Sequence, residues 1–243
     1  MQFTNARRRQ FAARTAITVA LGLAAAGCGH RAEWARSDRP GVHISPLAEL
    51  PERLEDDGTT ITVGDPTAGT VIRLHEDPRC PYCKEFELTG GASVVDEFAR
   101  QRKVKIQYTL ASFLDDRVGG QGSKKAVNAL RAALEEGKFE EYHNILYSYQ
   151  PEEEIDGFTD ARLLELASKV PGLRGTRFDS AVKTMKYKAF VTAAQASYES
   201  DGAPGTPTMR IDQRPLPEAI ANVVYDKELT ESLLESVVKH AGS

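Results

Sequence analysis

The spacing of apolar residues changes several times along the chain, and each change marks a predicted element. Short β-branched runs at 59–63 and 70–74 predict two strands. An apolar stripe at helical spacing begins at Cys80 and is interrupted by Gly90, and a second helical stripe follows it. Apolar and polar residues then alternate over 104–110, which is the period of a strand. This part of the chain therefore predicts two strands, two helices and a third strand.

Residues 119–200 carry four apolar stripes at helical spacing, which predict a block of helices. Ser123 is placed to cap the first helix, and the fourth is predicted to run unbroken from Phe178 to the end of the block. A short strand at 209–212 and a C-terminal helix follow. One helical block within an alternation of strands and helices predicts a single α/β domain with a helical insertion, over residues 59–243.

Residues 1–28 have the pattern of an export signal, with several arginines followed by an apolar stretch from Ala16 to Ala26. That stretch is shorter than the roughly 20 apolar residues of a membrane-spanning helix. The sequence Arg-Arg-Gln-Phe at 8–11 fits the twin-arginine pattern. A positive leader also fits the general secretory route, so both routes stay open.

The apolar stretch ends at Cys28, preceded by Ala-Ala-Gly. This segment resembles the lipobox of bacterial lipoproteins, although Ala25 replaces the usual leucine. The alternative is an ordinary cleavage site, which would give a secreted or periplasmic protein. We expect Cys28 to be lipidated and the mature protein to be anchored on the outer face of the cytoplasmic membrane. Residues 29–58 are polar, with several prolines, and are predicted to form a tether to the domain.

Composition narrows the possible functions. The chain has 243 residues, a net charge of −4 and 41% hydrophobic residues, which suits a globular protein with a sizeable core. An acidic chain without a basic stripe gives no sign of nucleic-acid binding. The three cysteines, Cys28, Cys80 and Cys83, are too few for a disulfide framework, so their positions matter more than their number.

Cys80-Pro81-Tyr82-Cys83 places two thiols one turn apart at a predicted helix start. Thiol–disulfide exchange needs a thiolate nucleophile and a second thiol within bonding reach. The free N–H groups and partial positive charge of a helix N-terminus favour the thiolate of the first cysteine. Pro81 loses no hydrogen bond at an early helical position. We expect Cys80 to be the exposed nucleophile and Cys83 the more buried, resolving thiol.

A C-x-x-C pair is also half of a common zinc site, and a metal-binding lipoprotein is an alternative function. Such sites usually need four ligands. Beyond the motif the chain has one other cysteine, at the signal, and its five histidines are scattered singly. A structural disulfide is a further alternative, but a two-residue loop would restrict the unfolded chain little. We expect neither a metal nor a cofactor.

Residues 76–86, Glu-Asp-Pro-Arg-Cys-Pro-Tyr-Cys-Lys-Glu-Phe, resemble the active-site segment of the DsbA-like thioredoxin-fold family. Gly-Thr-Pro-Thr at 205–208 resembles that family's second active-site segment, and the likeness covers roughly residues 58–240. The resemblance implies a thioredoxin fold in which Pro207 follows a cis peptide bond and faces the disulfide. It also implies that Thr206 and Pro207 contact substrate, and that Pro81 and Tyr82 support the cysteines.

The chain departs from many thioredoxin-fold enzymes six residues before the first cysteine. A buried acid there helps to move the proton of the second cysteine, but this chain has Leu74. His75, Glu76 and Asp77 follow, and strand alternation does not decide which of them points inward. The proton acceptor of Cys83 is therefore left open by the sequence.

The resemblance implies an extracytoplasmic oxidase that introduces disulfides into exported proteins. Its substrates would be exported protein thiols, and a membrane redox partner would reoxidise the cysteines. A reductase or isomerase is the alternative, because Tyr82 and Thr206 resemble isomerase-type residues. Isomerases of this superfamily dimerise through a separate N-terminal domain, and residues 29–58 are too few to form one. We therefore expect a monomer.

Overall fold

The computed structural model describes residues 49–241. The predicted signal sequence, Cys28 and the tether as far as residue 48 lie outside this range. The chain divides into two units, Met1–Arg39 and Pro40–Ser243. The first unit lies wholly outside the described residues, so the fold described below is that of the second.

A mixed sheet forms the centre of the domain. Its strands lie in the order β1-β2-β4-β3-β5-β6. The pair β3 and β4 is parallel, with Leu74 opposite Tyr108, and the other neighbouring pairs are antiparallel. The side chains of β3 and β4 are mostly buried, which fits their central position. The strands are β1 (Glu52–Leu54), β2 (Thr60–Val63), β3 (Thr70–Glu76), β4 (Val104–Leu110), β5 (Thr208–Ile211) and β6 (Arg214–Pro215).

Nine α-helices lie among the described residues, and six of them come between β4 and β5. The helices are α1 (Pro81–Leu88), α2 (Ala92–Arg100), α3 (Leu114–Val118), α4 (Gly122–Leu134), α5 (Phe139–Ser148), α6 (Asp160–Ala167), α7 (Thr176–Lys183), α8 (Lys188–Ser200) and α9 (Lys227–Ala241). A 3₁₀ helix at Glu218–Tyr225 precedes α9.

The insertion reaches the motif helix through α5, which packs against α1. Within the insertion, α4 packs against α5, α7 and α8, while α8 also packs on β4. This arrangement confirms an α/β thioredoxin fold with a helical insertion. None of the helices in residues 49–241 combines the length and apolar character needed to cross a membrane.

The structure corrects the predicted end of the tether. Residues 52–54 form β1, which pairs with β2, so the sheet begins inside the range predicted to be a polar tether. The strand is short and half-exposed, which explains why its apolar pattern was not visible. The Glu52 carboxylate also accepts hydrogen bonds from the backbone N–H groups of Phe139 and Glu140, which fixes β1 to the start of α5.

Two details of the helical block also differ from prediction. The fourth predicted helix is broken between α7 and α8, where Met185 adopts a positive φ of 49°. Asn128 of α4 bonds both sides of the break, donating to the carbonyl of Ala181 and accepting from the N–H of Tyr187. The block also has one more short helix, α3, before residue 119. Apolar spacing continues across the break, so periodicity alone predicted a single helix.

Candidate active site

The motif lies where the central strand β3 passes into helix α1. Cys80 is the N-cap residue of α1 and has extended backbone angles, while Pro81 occupies the first helical turn. The N–H of Cys80 donates to the carbonyl of Asp77, closing a turn between strand and helix. The Cys80 side chain therefore lies at the N-terminus of α1, where backbone N–H groups favour a thiolate.

The two cysteines have different surroundings. Cys83 is 0% exposed, and burial raises the pKa of its thiol well above the usual value. The pKa of Cys80 is lowered to about 7 by hydrogen bonds, chiefly from the Cys83 thiol and then from Thr206 and the backbone. Desolvation acts in the opposite direction and raises it. At neutral pH the proton therefore stays on Cys83 while Cys80 is substantially a thiolate.

The expectation that Cys80 is exposed is wrong. Its exposed fraction is 5%, because Leu114 and Tyr147 pack around it and the loop at Thr206 covers it. Tyr82 is instead the exposed residue of the motif, with an exposed fraction of 61%.

The loop before β5 contacts the first cysteine. The peptide bond between Thr206 and Pro207 is cis, as expected. The Cys80 Sγ lies 3.1 Å from the carbonyl oxygen of Thr206. The antiparallel pairing of β5 with β3, in which Thr208 lies opposite His75, brings the loop to this place. Two segments 126 positions apart thus meet at one sulfur.

A groove of about 500 Å³ begins at the same loop. Pro207 forms part of its wall, and most of the remaining wall is apolar. The lining residues include Pro204, Pro207, Met209, Pro215, Leu216 and Val224. The groove provides an apolar surface directly next to the cis-proline.

Asp77 joins the motif turn to the insertion. Its buried carboxylate accepts from the hydroxyl of Ser123 at 2.6 Å and from the N–H groups of Arg79 and Leu114. Burial outweighs these bonds and raises the pKa of Asp77 to about 6. Ser123 was predicted to cap α4, but α4 begins at Gly122 and the Ser123 hydroxyl bonds Asp77 instead.

Arg79, immediately before Cys80, is also fully buried. Its guanidinium pairs with Asp115 at 2.9 Å and donates to the carbonyls of Gly119 and Glu153. Asp115 in turn accepts from the N–H of Ser123 at the start of α4. This ion pair links the residue next to Cys80 to the beginning of the insertion.

Glu76 is the acid that the structure places behind the motif. It is fully buried at the end of β3, and its carboxylate lies 2.8 Å from His143 Nε2 on α5. Glu87 of α1 lies on the other side of His143, 4.0 Å from Nδ1. Desolvation raises the pKa of Glu76 to about 8 and lowers that of His143. The sequence left open which polar residue after Leu74 points inward, and in the structure His75, Glu76 and Asp77 are all buried.

Comparison with known proteins places this geometry in a family. The family model described as Thioredoxin matches residues 56–231. The chain belongs to the thioredoxin family. The match contains both the motif and the cis-proline loop, so the site described above lies wholly inside it.

Solved structures show the same fold at low identity. BdbD from Bacillus subtilis has 19% identity and a TM-score of 0.64, with 76% of this chain and 95% of BdbD covered. DsbA from Chlamydia trachomatis has 18% identity and a TM-score of 0.60, with coverages of 75% and 91%. The disulfide oxidoreductase DsbG from Mycobacterium tuberculosis has 23% identity and a TM-score of 0.55, with coverages of 82% and 97%. These likenesses establish the DsbA-like variant of the thioredoxin fold.

A curated relative shares part of the sequence. The serine/threonine-protein kinase PknE of Mycobacterium tuberculosis is 30% identical over 125 residues, which cover 49% of this chain and 22% of the kinase. The chain thus spans about a fifth of the length of this relative. The likeness concerns one part of a larger protein.

The thioredoxin-family domain also brings together residue types that can bind a metal ion. In the described part of the chain, the one group of three potential ligands is Glu76, Glu87 and His143. Cys80 and Cys83 belong to no such group there.

Sequence reasoning missed one positioning residue of the thioredoxin-family site. Gln150, just after α5, donates through its side-chain amide to the carbonyls of Pro78 and Cys80, at 2.8 and 3.0 Å. Both carbonyls belong to the turn that carries Cys80. Nothing in the local pattern around residue 150 marks this role, because the partners are about 70 positions away.

Proposed function

We propose that this chain is a thiol–disulfide oxidoreductase whose nucleophile is Cys80 and whose resolving thiol is Cys83. The observation that carries the proposal is the asymmetry of the pair. Cys80 caps α1, lies 3.1 Å from the Thr206 carbonyl and has a pKa lowered to about 7. Cys83 is enclosed and has a raised pKa. A structural disulfide has no need for such an arrangement.

In the oxidising direction, a substrate thiolate attacks Sγ of Cys80 in the Cys80–Cys83 disulfide. The sulfur–sulfur bond breaks, its electron pair passes to Cys83, and a mixed disulfide joins Cys80 to the substrate. A second substrate thiolate then attacks the substrate sulfur and releases Cys80 as a thiolate. The substrate gains a disulfide and loses two electrons, which the two cysteines accept. Stabilisation of the Cys80 thiolate makes it a good leaving group in this last step.

Thr206 and Pro207 are proposed to hold the substrate. A peptide that lies alongside this loop in extended form can bond its backbone, as in strand addition. The apolar groove that begins at Pro207 supplies a place for a side chain of that peptide. Pro81 and Tyr82 complete the proposed substrate-binding surface. Pro81 starts α1, and the ring of Tyr82 is exposed.

The proposed direction is oxidation of exported proteins. No acid occupies position 74, and Glu76, whose pKa is about 8, is mostly neutral at pH 7. Neither residue therefore opposes the Cys80 thiolate by like charge. The alternative is a reductase or isomerase. Both DsbA and DsbG structures share this fold, so the redox potential must separate the two directions.

Export and anchoring belong to the same proposal. Cys28 at the end of the apolar leader supports lipidation. The likeness to DsbA-type structures supports exported protein thiols as substrates, and reoxidation is proposed to need a membrane redox partner. The working form is proposed to be a monomer. Cys28→Ala is expected to release the protein from the membrane fraction or to block its processing. A mature protein that begins beyond residue 28 without lipid would contradict this part.

The catalytic roles are tested by trapping. Cys83→Ser should accumulate mixed disulfides with exported proteins, because the resolving thiol is lost while Cys80 still reacts. Cys80→Ser is the matched control and should trap none. Non-reducing gels followed by mass spectrometry identify the trapped species. Equal trapping by both variants would overturn the assignment of roles.

A further inference from the structure

The loop that contacts Cys80 has few hydrogen bonds of its own. Residues 203–207, which we call the Thr206 loop, lie between the end of α8 and the start of β5. The carbonyl oxygen of Thr206 lies 3.1 Å from the Cys80 Sγ, and the carbonyl of Gly205 accepts from the Thr208 hydroxyl at 2.7 Å. The position of the loop therefore depends on how its two ends are held.

A histidine of the central strand reaches both ends of this loop. His75 lies on β3 and is fully buried. Its Nε2 atom lies 2.9 Å from the Oδ2 atom of Asp201, the residue that caps the C-terminus of α8. Its Nδ1 atom lies 3.4 Å from the carbonyl oxygen of Thr208, the first residue of β5. One imidazole ring thus contacts the chain on each side of the Thr206 loop.

The His75 ring has one N–H to donate, although both atoms that face it are acceptors. Desolvation is the largest effect on the pKa of His75 and lowers it, so the ring is neutral at neutral pH. A neutral imidazole carries a single N–H. The shorter contact, at 2.9 Å to the Asp201 carboxylate, has the length of a charge-assisted hydrogen bond and assigns the proton to Nε2. His75 therefore holds the α8 end of the loop by a hydrogen bond.

Two arginines also contact Asp201. Arg73, two positions before His75 on β3, lies 3.5 Å from the Asp201 carboxylate and also bonds Gln107. Arg210 of β5 donates to the backbone carbonyl of Asp201 at 2.5 Å. Of the two contacts to the carboxylate, the one from His75 is the shorter, and its donor is fully buried. Because hydrogen bonds weaken with distance, His75 holds this carboxylate more strongly than Arg73 does.

Resting on the proposed function, we propose that the hydrogen bond between His75 and Asp201 sets the position of the Thr206 loop over Cys80. The bond fixes the end of α8 to β3, and β3 leads into the turn that carries Cys80. The loop that follows Asp201 is thereby kept at its 3.1 Å contact with the sulfur. His75 and Asp201 are positioning residues, which act through the loop. A substrate peptide that bonds the loop is then held against the sulfur that it attacks.

The test compares two reactions of the same sulfur in Asp201→Ala, which removes the acceptor of the bond. Oxidation of a dithiol peptide by the oxidised protein needs the loop, and its kcat/KM should fall at least about tenfold, since a misplacement of about 1 Å can cost about a hundredfold. Alkylation of the reduced protein by iodoacetamide does not need the loop. Divided by the thiolate fraction of Cys80, its rate should rise severalfold, because a displaced loop uncovers a sulfur whose residue is only 5% exposed.

Three further variants separate the bond from its surroundings. Asp201→Asn keeps an oxygen that accepts the His75 N–H and should retain most of both wild-type rates. His75→Leu removes the donor and should reproduce the opposite changes of Asp201→Ala. Glu199→Ala is the matched control, because it removes an exposed carboxylate from the last turn of α8 that bonds Gln195 of the same helix. It should leave both rates at their wild-type values.

The two rates of Asp201→Ala must change in opposite directions. If they do not, while the wild type oxidises the peptide, this inference fails and the proposed function stands. Wild-type rates in a folded His75→Leu would also overturn the inference, because the loop would then be held through Arg73. A wild type that oxidises no dithiol peptide would overturn the proposed function instead.

A second measurement needs no variant. Nitrogen NMR shifts of the His75 ring in the wild type at pH 7 should show a protonated Nε2 and an unprotonated Nδ1. The proton on Nε2 should exchange slowly with water, because the ring is fully buried. An Nε2 atom without a proton would overturn the inference, because Asp201 would then have no donor in His75.

Discussion

At the residue scale, the geometry of the site depends on the hydrogen bonds that its buried polar atoms make. Asp77 lies three positions before Cys80. Its carbonyl accepts a hydrogen bond from the N–H of Cys80, and its carboxylate accepts one from the Ser123 hydroxyl. A buried carboxylate that lost this donor would keep its desolvation cost without compensation. The orientation of the cysteine turn therefore depends on a hydroxyl from the helical insertion.

Ser123→Ala should lower the free energy of unfolding by about 2 kcal/mol, the usual size for a hydrogen bond to a buried charged group. Urea unfolding of the oxidised protein measures this change. Ser200→Ala is the control, because its hydroxyl bonds a helix carbonyl at the surface, and it should change the free energy by less than about 0.5 kcal/mol. Equal effects of the two substitutions would contradict a structural role for the bond between Ser123 and Asp77.

Residue-scale features were only partly predictable. The motif and Pro207 are local signals with a known chemistry, and the sequence contains both. Gln150 and His143 act on partners about 70 positions away, which no local pattern encodes. Ser123 illustrates a role that tertiary contacts decide. A capping serine accepts a backbone N–H, but Ser123 lies inside α4 and donates its hydroxyl to the buried Asp77 carboxylate.

At the scale of elements, the insertion is joined to the active site by a buried ion pair. Arg79 precedes Cys80, and its partner Asp115 lies in α3 and accepts hydrogen bonds from N–H groups at the start of α4. Removing one partner of a buried pair leaves an unpaired charge in the interior. The position of the turn before α1 and the position of the insertion are therefore coupled.

Asp115→Ala should cost about 3–5 kcal/mol of stability, the usual range for breaking a buried pair. Asp116→Ala removes a neighbouring carboxylate whose partner, Lys124, lies at the surface, and should cost less than about 1 kcal/mol. Thermal or urea unfolding of both variants gives the comparison. A cost for Asp115→Ala no larger than that for Asp116→Ala would show that the pair does not hold the insertion in place.

Elements with a clear period were predictable, and elements fixed by tertiary contacts were not. Strand β2 follows from a β-branched run, β4 from alternation, and helix α1 from an apolar stripe that stops at Gly90. Strand β1 is short and half-exposed, so only its pairing with β2 defines it. The break between α7 and α8 depends on Asn128, a buried side chain from another helix.

At the scale of the whole molecule, buried acids with raised pKa values govern the pH dependence of stability. Desolvation raises the pKa of Asp77 to about 6, of Asp96 to about 7 and of Glu76 to about 8. Each of these groups binds a proton more tightly in the folded state than in the unfolded state. Its stabilising contribution is complete below the unfolded pKa and is lost as pH rises through the folded pKa.

The oxidised protein should therefore be more stable at pH 6.5 than at pH 8.5. One group contributes about 1.4 kcal/mol per pH unit within its window, so Glu76 alone predicts a difference of about 2 kcal/mol. His75 and His143, whose pKa values are lowered, oppose this trend only below about pH 6.5. Urea unfolding at both pH values measures the difference, and Glu76→Gln should reduce it. Greater stability at pH 8.5 would contradict the protonation states described here.

The central claim is that Cys80 and Cys83 form a redox-active pair poised to oxidise other thiols, and its redox potential tests this most directly. Equilibration with glutathione buffers, followed by counting of free thiols, gives the value. We predict a potential above about −195 mV, on the oxidising side of the midpoint between DsbA at about −120 mV and thioredoxin at about −270 mV. A potential near the thioredoxin value would indicate a reductase. One below about −300 mV would indicate a structural disulfide and would contradict a redox-active role for the pair.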